Sequence, residues 1–225
     1  MKKFLRRIKR FADRLFGTKA DEFFWRFRHV IQDKKWAESY ISEKALEHSH
    51  RKLLLQIIDR YSPFKKVLEI GCASGPNLIL LSPKYPETEF LGIDISENAV
   101  RVGRNYIKNH NIPNVNLRAG NTDEIKKLPD KSFDIMFTDA MLIYIGPEKI
   151  KEVLKEMVRV AKKAVIIVEW WSDKPYDYVA DHWAYNWEVL FEKIGVPDIK
   201  ITRLDDQSWG GEWAKRGCIV EVVTT

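Results

Sequence analysis

At 225 residues, 45% of them apolar, the chain has the size and composition of one globular domain with an extension and is too short for two. No apolar run approaches the roughly 18 residues of a membrane span, and the two cysteines, Cys72 and Cys218, have neither disulfide-framework nor metal-ligand spacing, so no metal is expected and a reducing, cytoplasmic setting is. The formal charge of +6 lies entirely in residues 1–16, where Lys2, Lys3, Arg6, Arg7, Lys9, Arg10 and Arg14 oppose Asp13 alone; the remainder carries 31 basic and 31 acidic residues, which argues against an extended nucleic-acid groove.

In chain order, residues 1–17 read as a basic amphipathic helix, with Phe4, Leu5, Ile8, Phe11, Leu15 and Phe16 at helical spacing and the cations opposite. Two readings stay open for it. It is a peripheral anchor on an anionic membrane surface, or a helix packed on its own domain, with RNA contact a distant third. Residues 18–63 read as a helical cap, formed by two helices that break around residues 32–34. From residue 64 to 225 strands and helices alternate. Strands are expected at 66–70, 89–94, 115–119, 133–138 and 163–169, and helices at 76–82, 97–110 and 147–161. A helix over 178–194 and strands at 199–205 and 217–223 follow, the last two paired antiparallel because no helical pattern separates them. The fold class is therefore α/β, with a Rossmann-like, mostly parallel sheet.

The segment Val67–Asn77, VLEIGCASGPN, carries the most chemistry. An apolar strand containing Glu69 enters a loop of Gly71, Cys72, Ala73, Ser74 and Gly75, and Pro76 suits the first turn of a helix. Such a loop lets a ligand meet bare backbone amides. A second strand ends at Asp94 and Ile95, at about the distance expected of a ribose-binding acid. The nicotinamide fingerprint maps badly onto Gly71, Ala73 and Pro76, and no phosphate-loop Gly-Lys-Ser/Thr is present.

An acid two residues before the first glycine resembles the first motif of class I S-adenosylmethionine-dependent methyltransferases, acid-x-Gly-x-Gly-x-Gly. Here it reads Glu69, Gly71, Ala73 and Gly75, with Ala73 departing from the pattern. The resemblance implies a seven-stranded sheet with a C-terminal antiparallel hairpin and S-adenosylmethionine as cofactor. It places Gly71–Gly75 and Glu69 at the methionine end, Asp94 on the ribose, and Asn121 with Thr122 at the adenine, where Asp123 either substitutes for Asn121 or caps the next turn. Asp139 and Ala140 fall at the cofactor-facing end of the fourth strand. The Asn/Asp-Pro-Pro-aromatic stretch of base-amine methylases is absent from that strand end.

The acceptor is expected to be a small molecule, a sugar or a lipid-linked compound, methylated on oxygen or nitrogen. The His48-x-His50-Arg51 run resembles methylases of sugar and surface-polysaccharide pathways. His50, His48, Tyr144 and Asp139 are candidate bases for a hydroxyl acceptor. Glu169-Trp170-Trp171 at the fifth strand's end, with Asp181, His182, Trp183 and Tyr185 beyond, either packs under a loop or walls a pocket. Two rivals stand beside this reading: an RNA methyltransferase that uses the basic helix as an arm, and a non-catalytic cofactor-binding protein of the same fold.

Overall fold

The computed structural model describes residues 17–31 and 35–224. The basic helix expected at the N-terminus (bar Gly17) and the break expected at 32–34 lie outside the described residues. Among the described residues the stretch expected as two helices holds four: α1 Thr18–Ile31, α2 Trp36–Ser39, α3 Glu43–Leu46 and α4 Ser49–Asp59. Serine side chains separate α2 from α3. The Ser39 hydroxyl donates to the Trp36 carbonyl and Ser42 to that of Ser39, while Ser42 also caps α3 by accepting from the Ala45 amide. These local bonds compete with a continuous helix.

The remaining elements are β1 Lys66–Ile70, α5 Pro76–Leu81, β2 Glu89–Asp94, α6 Glu97–Asn109, β3 Val115–Ala119, a 3₁₀ turn Thr122–Lys127, β4 Phe133–Asp139 and a 3₁₀ turn Leu142–Tyr144. After these come α7 Ile150–Val160, β5 Ala161–Trp170, β6 Tyr176–Val179, β7 His182–Tyr185, α8 Trp187–Lys193, β8 Ile199–Arg203, α9 Glu212–Arg216 and β9 Gly217–Val223. The seven-stranded sheet has the order β3-β2-β1-β4-β5-β9-β8. β1 to β5 are parallel, and β9 runs antiparallel to both β5 and β8, as expected of the final pair. The strand order reverses between β1 and β4, which opens a crevice beyond their carboxyl ends.

Both faces of the sheet are covered, so its central strands are apolar throughout. Val67, Phe137, Ile166 and Val168 pack with Leu54, Ile57 and Ile58 of α4, so α4 forms part of the layer that supports the sheet. Their neighbours Leu68, Met136, Val165 and Ile167 pack on the opposite face with Val153, Leu154 and Met157 of α7. This is the period-two alternation of a strand.

Three expectations change. The helix expected over 178–194 is the β6–β7 hairpin followed by the seven-residue α8. Tyr176, Tyr178, Trp183 and Tyr185 are strand-forming aromatics, and Tyr178 packs edge-on to Trp183 at 4.7 Å. Ala180 and Asp181 make the two-residue turn at φ 49° and 70°, which matches strand twist. The helix expected from 147 starts at Ile150, and the connection expected to lack helix contains α9.

Candidate active site

The crevice at the reversal point is a cavity whose floor is made by strand ends and loops and whose roof is made by the N-terminal helices. Gly71, Ala73, Asp94, Ile95, Asn121, Thr122, Asp139, Ala140 and Tyr144 line it, together with Asp21, Trp25, Trp36 and Tyr40 from the roof. Of the sequence-derived candidates, Glu69, Cys72, Ser74 and Gly75 stand behind this wall, and His48 and His50 lie behind Asp139.

The glycine loop is built by backbone conformation. Gly71, Ala73 and Gly75 have φ of 76°, 49° and 80°. A side chain at Gly71 would collide with Met141 as well as meet the cavity. Ala73 adopts the left-handed conformation despite its methyl group, held by an amide that donates to Asp94 Oδ2 at 2.8 Å. The other oxygen of Asp94 accepts the Ser96 amide at 2.8 Å. Asp94 thus ties the loop to the start of α6 while facing the cavity. Burial raises its carboxyl, and these two amides oppose the shift. Cys72 faces Gly92, and burial pushes its thiol up. The Ser74 hydroxyl is spent on the Ala37 carbonyl at 2.8 Å, which fastens α2 to the loop.

Beneath the loop lies a polar relay that the sequence reading found only in part. Asn77, the one polar residue among the apolar Leu78–Leu81 of α5, donates to Glu69 Oε1 at 2.7 Å and to Asp139 Oδ2 at 3.0 Å. Arg51 Nη1 donates to Asn77 Oδ1 at 2.5 Å and to Asp139 Oδ2 at 3.2 Å, and Arg51 Nε to the Ala45 carbonyl. His50 Nε2 reaches the same oxygen at 3.1 Å, and its Nδ1 lies 2.6 Å from Nδ1 of His48, with one proton between the two rings. Burial alone would raise Asp139, but His50, Arg51 and Asn77 outweigh it and hold the carboxyl well below the usual carboxylate range. Glu69 has less help, and burial pushes it up to about 8. Burial, then the charges of His50 and Arg51, lower His48. Asp139 and His50 are therefore hydrogen-bonded inside a network, an arrangement suited to positioning. Asp139 Oδ1 and Glu69 Oε2 are buried and find no partner among the described residues. A polar atom left so is costly unless a ligand meets it. A buried polar residue in an apolar helix was the available signal for Asn77.

The third strand's end corrects another expectation. It is Asn121, not Asp123, that caps the following turn, by accepting the Asp123 amide at 3.2 Å. Asp123 is held by Asn121 Nδ2, Lys126 and Lys149. Lys149 also bonds Glu22 at 3.0 Å, which links this edge to the roof. Glu169 grips the opposite edge. Its two oxygens accept Thr138 Oγ1 and the amides of Met141, Leu142 and Ile143, and burial raises it to about 7 against those bonds.

A chain of aromatic contacts runs from His50 to the cavity, which only its last members, Tyr144, Trp25 and Trp36, line. His50 stacks on Trp209 at 3.8 Å, and Trp209 stacks on Trp213 at 3.9 Å. Trp213 meets Trp170, Trp170 meets His182, and His182 meets Tyr144, with centroids 5.8, 4.9 and 5.2 Å apart. Tyr144 then packs on Trp25 at 4.8 Å, and Trp25 on Trp36 at 5.7 Å. The indole N–H groups of Trp25 and Trp36, both cavity residues, are buried and unpaired. The roof tryptophans and Trp209 were not singled out from sequence, because nothing local distinguishes a roof aromatic from a core one.

Residues 67–164 match the model of a methyltransferase domain. The glycine loop, Asp94 and Asp139 fall within that match. Over residues 67–164 the chain carries a methyltransferase domain. This domain is similar to demethylmenaquinone methyltransferase of Listeria welshimeri, 32% identical over 146 residues that make up 64% of this chain and 60% of that protein. The chain spans 38% and 60% of the lengths of the first two curated relatives. In structure the domain resembles a SAM-dependent methyltransferase from Aquifex aeolicus (21% identity, TM-score 0.60, covering 84% of this chain and 97% of that one). It also resembles magnesium protoporphyrin IX methyltransferase from Synechocystis PCC 6803, solved with bound SAM (17% identity, TM-score 0.66, covering 91% and 97%). At such identities these structures speak to the fold of the methyltransferase domain.

Proposed function

We propose that the chain transfers a methyl group from S-adenosylmethionine to a small, apolar, ring-bearing acceptor, free or lipid-linked, on oxygen or nitrogen. The observation that carries this is the aromatic wall of Trp25, Trp36, Tyr40 and Tyr144 over a cavity floored by the glycine loop, Asp94 and Asp139. Gly71 and Ala73 would meet the methionine end, with the unpaired oxygen of Asp139 nearby; Asp94 would take the ribose, and Asn121 and Thr122 the adenine. The bound cofactor supplies an activated methyl on a sulfonium whose leaving group is a neutral thioether.

The chain's own residues align the acceptor and exclude water. The Trp25 and Trp36 rings, which line the cavity, offer flat apolar surface to such an acceptor. His182 Nδ1 donates to the Ala180 carbonyl at 2.7 Å, which leaves the Nε2 lone pair 3.2 Å from the Tyr144 hydroxyl. Burial pushes the Tyr144 phenol well above its ordinary range, so this cavity-lining hydroxyl stays protonated and would serve an acceptor as a hydrogen-bond donor. The relative named for demethylmenaquinone is in keeping with a ring-bearing acceptor.

Incubating the protein with methyl-labelled cofactor and separated lipid extract, soluble metabolites and RNA tests this. Label in the lipid or metabolite fraction is expected. Label confined to RNA replaces the reading with the nucleic-acid one. Cofactor binding without label in any fraction replaces it with a non-catalytic protein.

A further inference from the structure

Helix α1 has two faces with different tasks. Its inner face closes the cavity: Asp21 and Trp25 line it, and the Thr18 amide and hydroxyl fasten its first turn to Glu148 at 2.7 and 2.6 Å. The opposite face carries Phe23, Phe27 and Val30 at helical spacing, exposed to 63%, 40% and 73%. The two phenylalanine rings lie 4.9 Å apart, and the exposed Lys19 and Arg26 share that face. Three of the five large apolar residues exposed among the described residues therefore sit on one helical stripe. Such clustering, unlike scattered exposure, marks a contact surface.

Charge identifies the partner. The sixteen residues that lead into this helix carry seven cations against one acid, while the rest of the chain is neutral. A cationic lead joined to an apolar stripe flanked by Lys19 and Arg26 complements an anionic lipid surface, where phenylalanines enter the acyl boundary and cations meet headgroups. We infer that the outer face of α1 docks on an anionic bilayer, so that the helix roofing the cavity is also the one in contact with lipid. An acceptor dissolved in the bilayer then enters beside α1; that last step alone rests on the proposed function, and the docking does not.

The test is sedimentation of the full chain with vesicles of phosphatidylcholine alone and of phosphatidylcholine with phosphatidylglycerol, for wild type and for the double variant Phe23→Ser, Phe27→Ser. Both positions are exposed, so thermal midpoint and calorimetric binding of S-adenosylhomocysteine should match wild type and certify the fold. Expected is binding to the anionic vesicles, weakened by salt, with the variant losing about tenfold or more in partition coefficient. Anionic vesicles should also speed S-adenosylhomocysteine release from wild type and leave the variant's rate unchanged. Equal partitioning of variant and wild type would overturn the docking. So would equal binding to neutral and anionic vesicles. A dimer abolished by the same substitutions, without vesicle binding, would assign the face to a second copy of the chain. Docking that succeeds while S-adenosylhomocysteine fails to bind would leave the lipid surface standing and sink the proposed function instead.

Discussion

Arg51 and Asp139 lie 88 positions apart in the chain and meet at 3.2 Å, with their side chains 7% and 6% exposed. The pair joins the helix before the sheet to the end of the fourth strand. Asn77 and His50 complete the shell around the same carboxylate oxygen. Removing one member of a buried pair leaves an uncompensated charge. Arg51→Leu should therefore destabilise the fold by about 3–5 kcal/mol. Adding Asp139→Asn should return part of that loss, and urea midpoints of both variants measure it. A double variant no more stable than the single one would place the cost in lost packing.

Glu69 gives the protein a pH dependence of defined sign. Its folded carboxyl holds a proton up to about 8, against an ordinary value of 4.5. Folding therefore takes up a proton between those values. Stability is highest below pH 4.5 for this group and falls as pH rises through the window to about 8. Glu169, raised to about 7, adds a slope of the same sign. Asp139, held low, works oppositely and only in acid. Glu69→Gln should flatten the decline in melting temperature between pH 6 and 9, conditions chosen to bracket the window. An unchanged slope would assign the decline to Glu169.

Asp94 is expected to carry much of the cofactor affinity. Asp94→Ala removes a charged acceptor and frees the Ala73 and Ser96 amides it now holds. S-adenosylhomocysteine binding should weaken by about 1.5–3 kcal/mol in calorimetry. Unchanged affinity would mean that the ribose contact lies elsewhere.

The β6–β7 turn offers a gain. Ala180 sits at φ 49°, where a Cβ is strained. Ala180→Gly relieves that strain at some cost in unfolded-chain entropy, and should raise stability by about 0.5–1 kcal/mol. A lower urea midpoint would show that the turn tolerates its alanine without penalty.

The parallel sheet was legible because buried strands write themselves as short apolar runs, as in Phe90–Ile93 and Val165–Val168. The glycine loop was legible because φ near 80° at Gly71 and Gly75 demands small residues at fixed spacing. Residues 178–185 were misread as helix because a hairpin rich in tyrosine, tryptophan and histidine also satisfies helical spacing. The partners of Asn77 and the roles of Trp25 and Trp209 were illegible for another reason. Each depends on a partner far along the chain, such as Asp139 at 62 positions from Asn77, and no local pattern records such a meeting.

The strand order sets a sequence of events during synthesis. β5 ends at Trp170, but its partner β9 comes from residues 217–223 and is made well after it. Until those residues leave the ribosome, one edge of β5, including the fully buried Ile166, Ile167 and Val168, has no ladder to pair with. An apolar edge open for that interval is an invitation to other chains. Nascent chains halted between residues 171 and 216 should thus depend on chaperones in a way that chains released after Val223 do not.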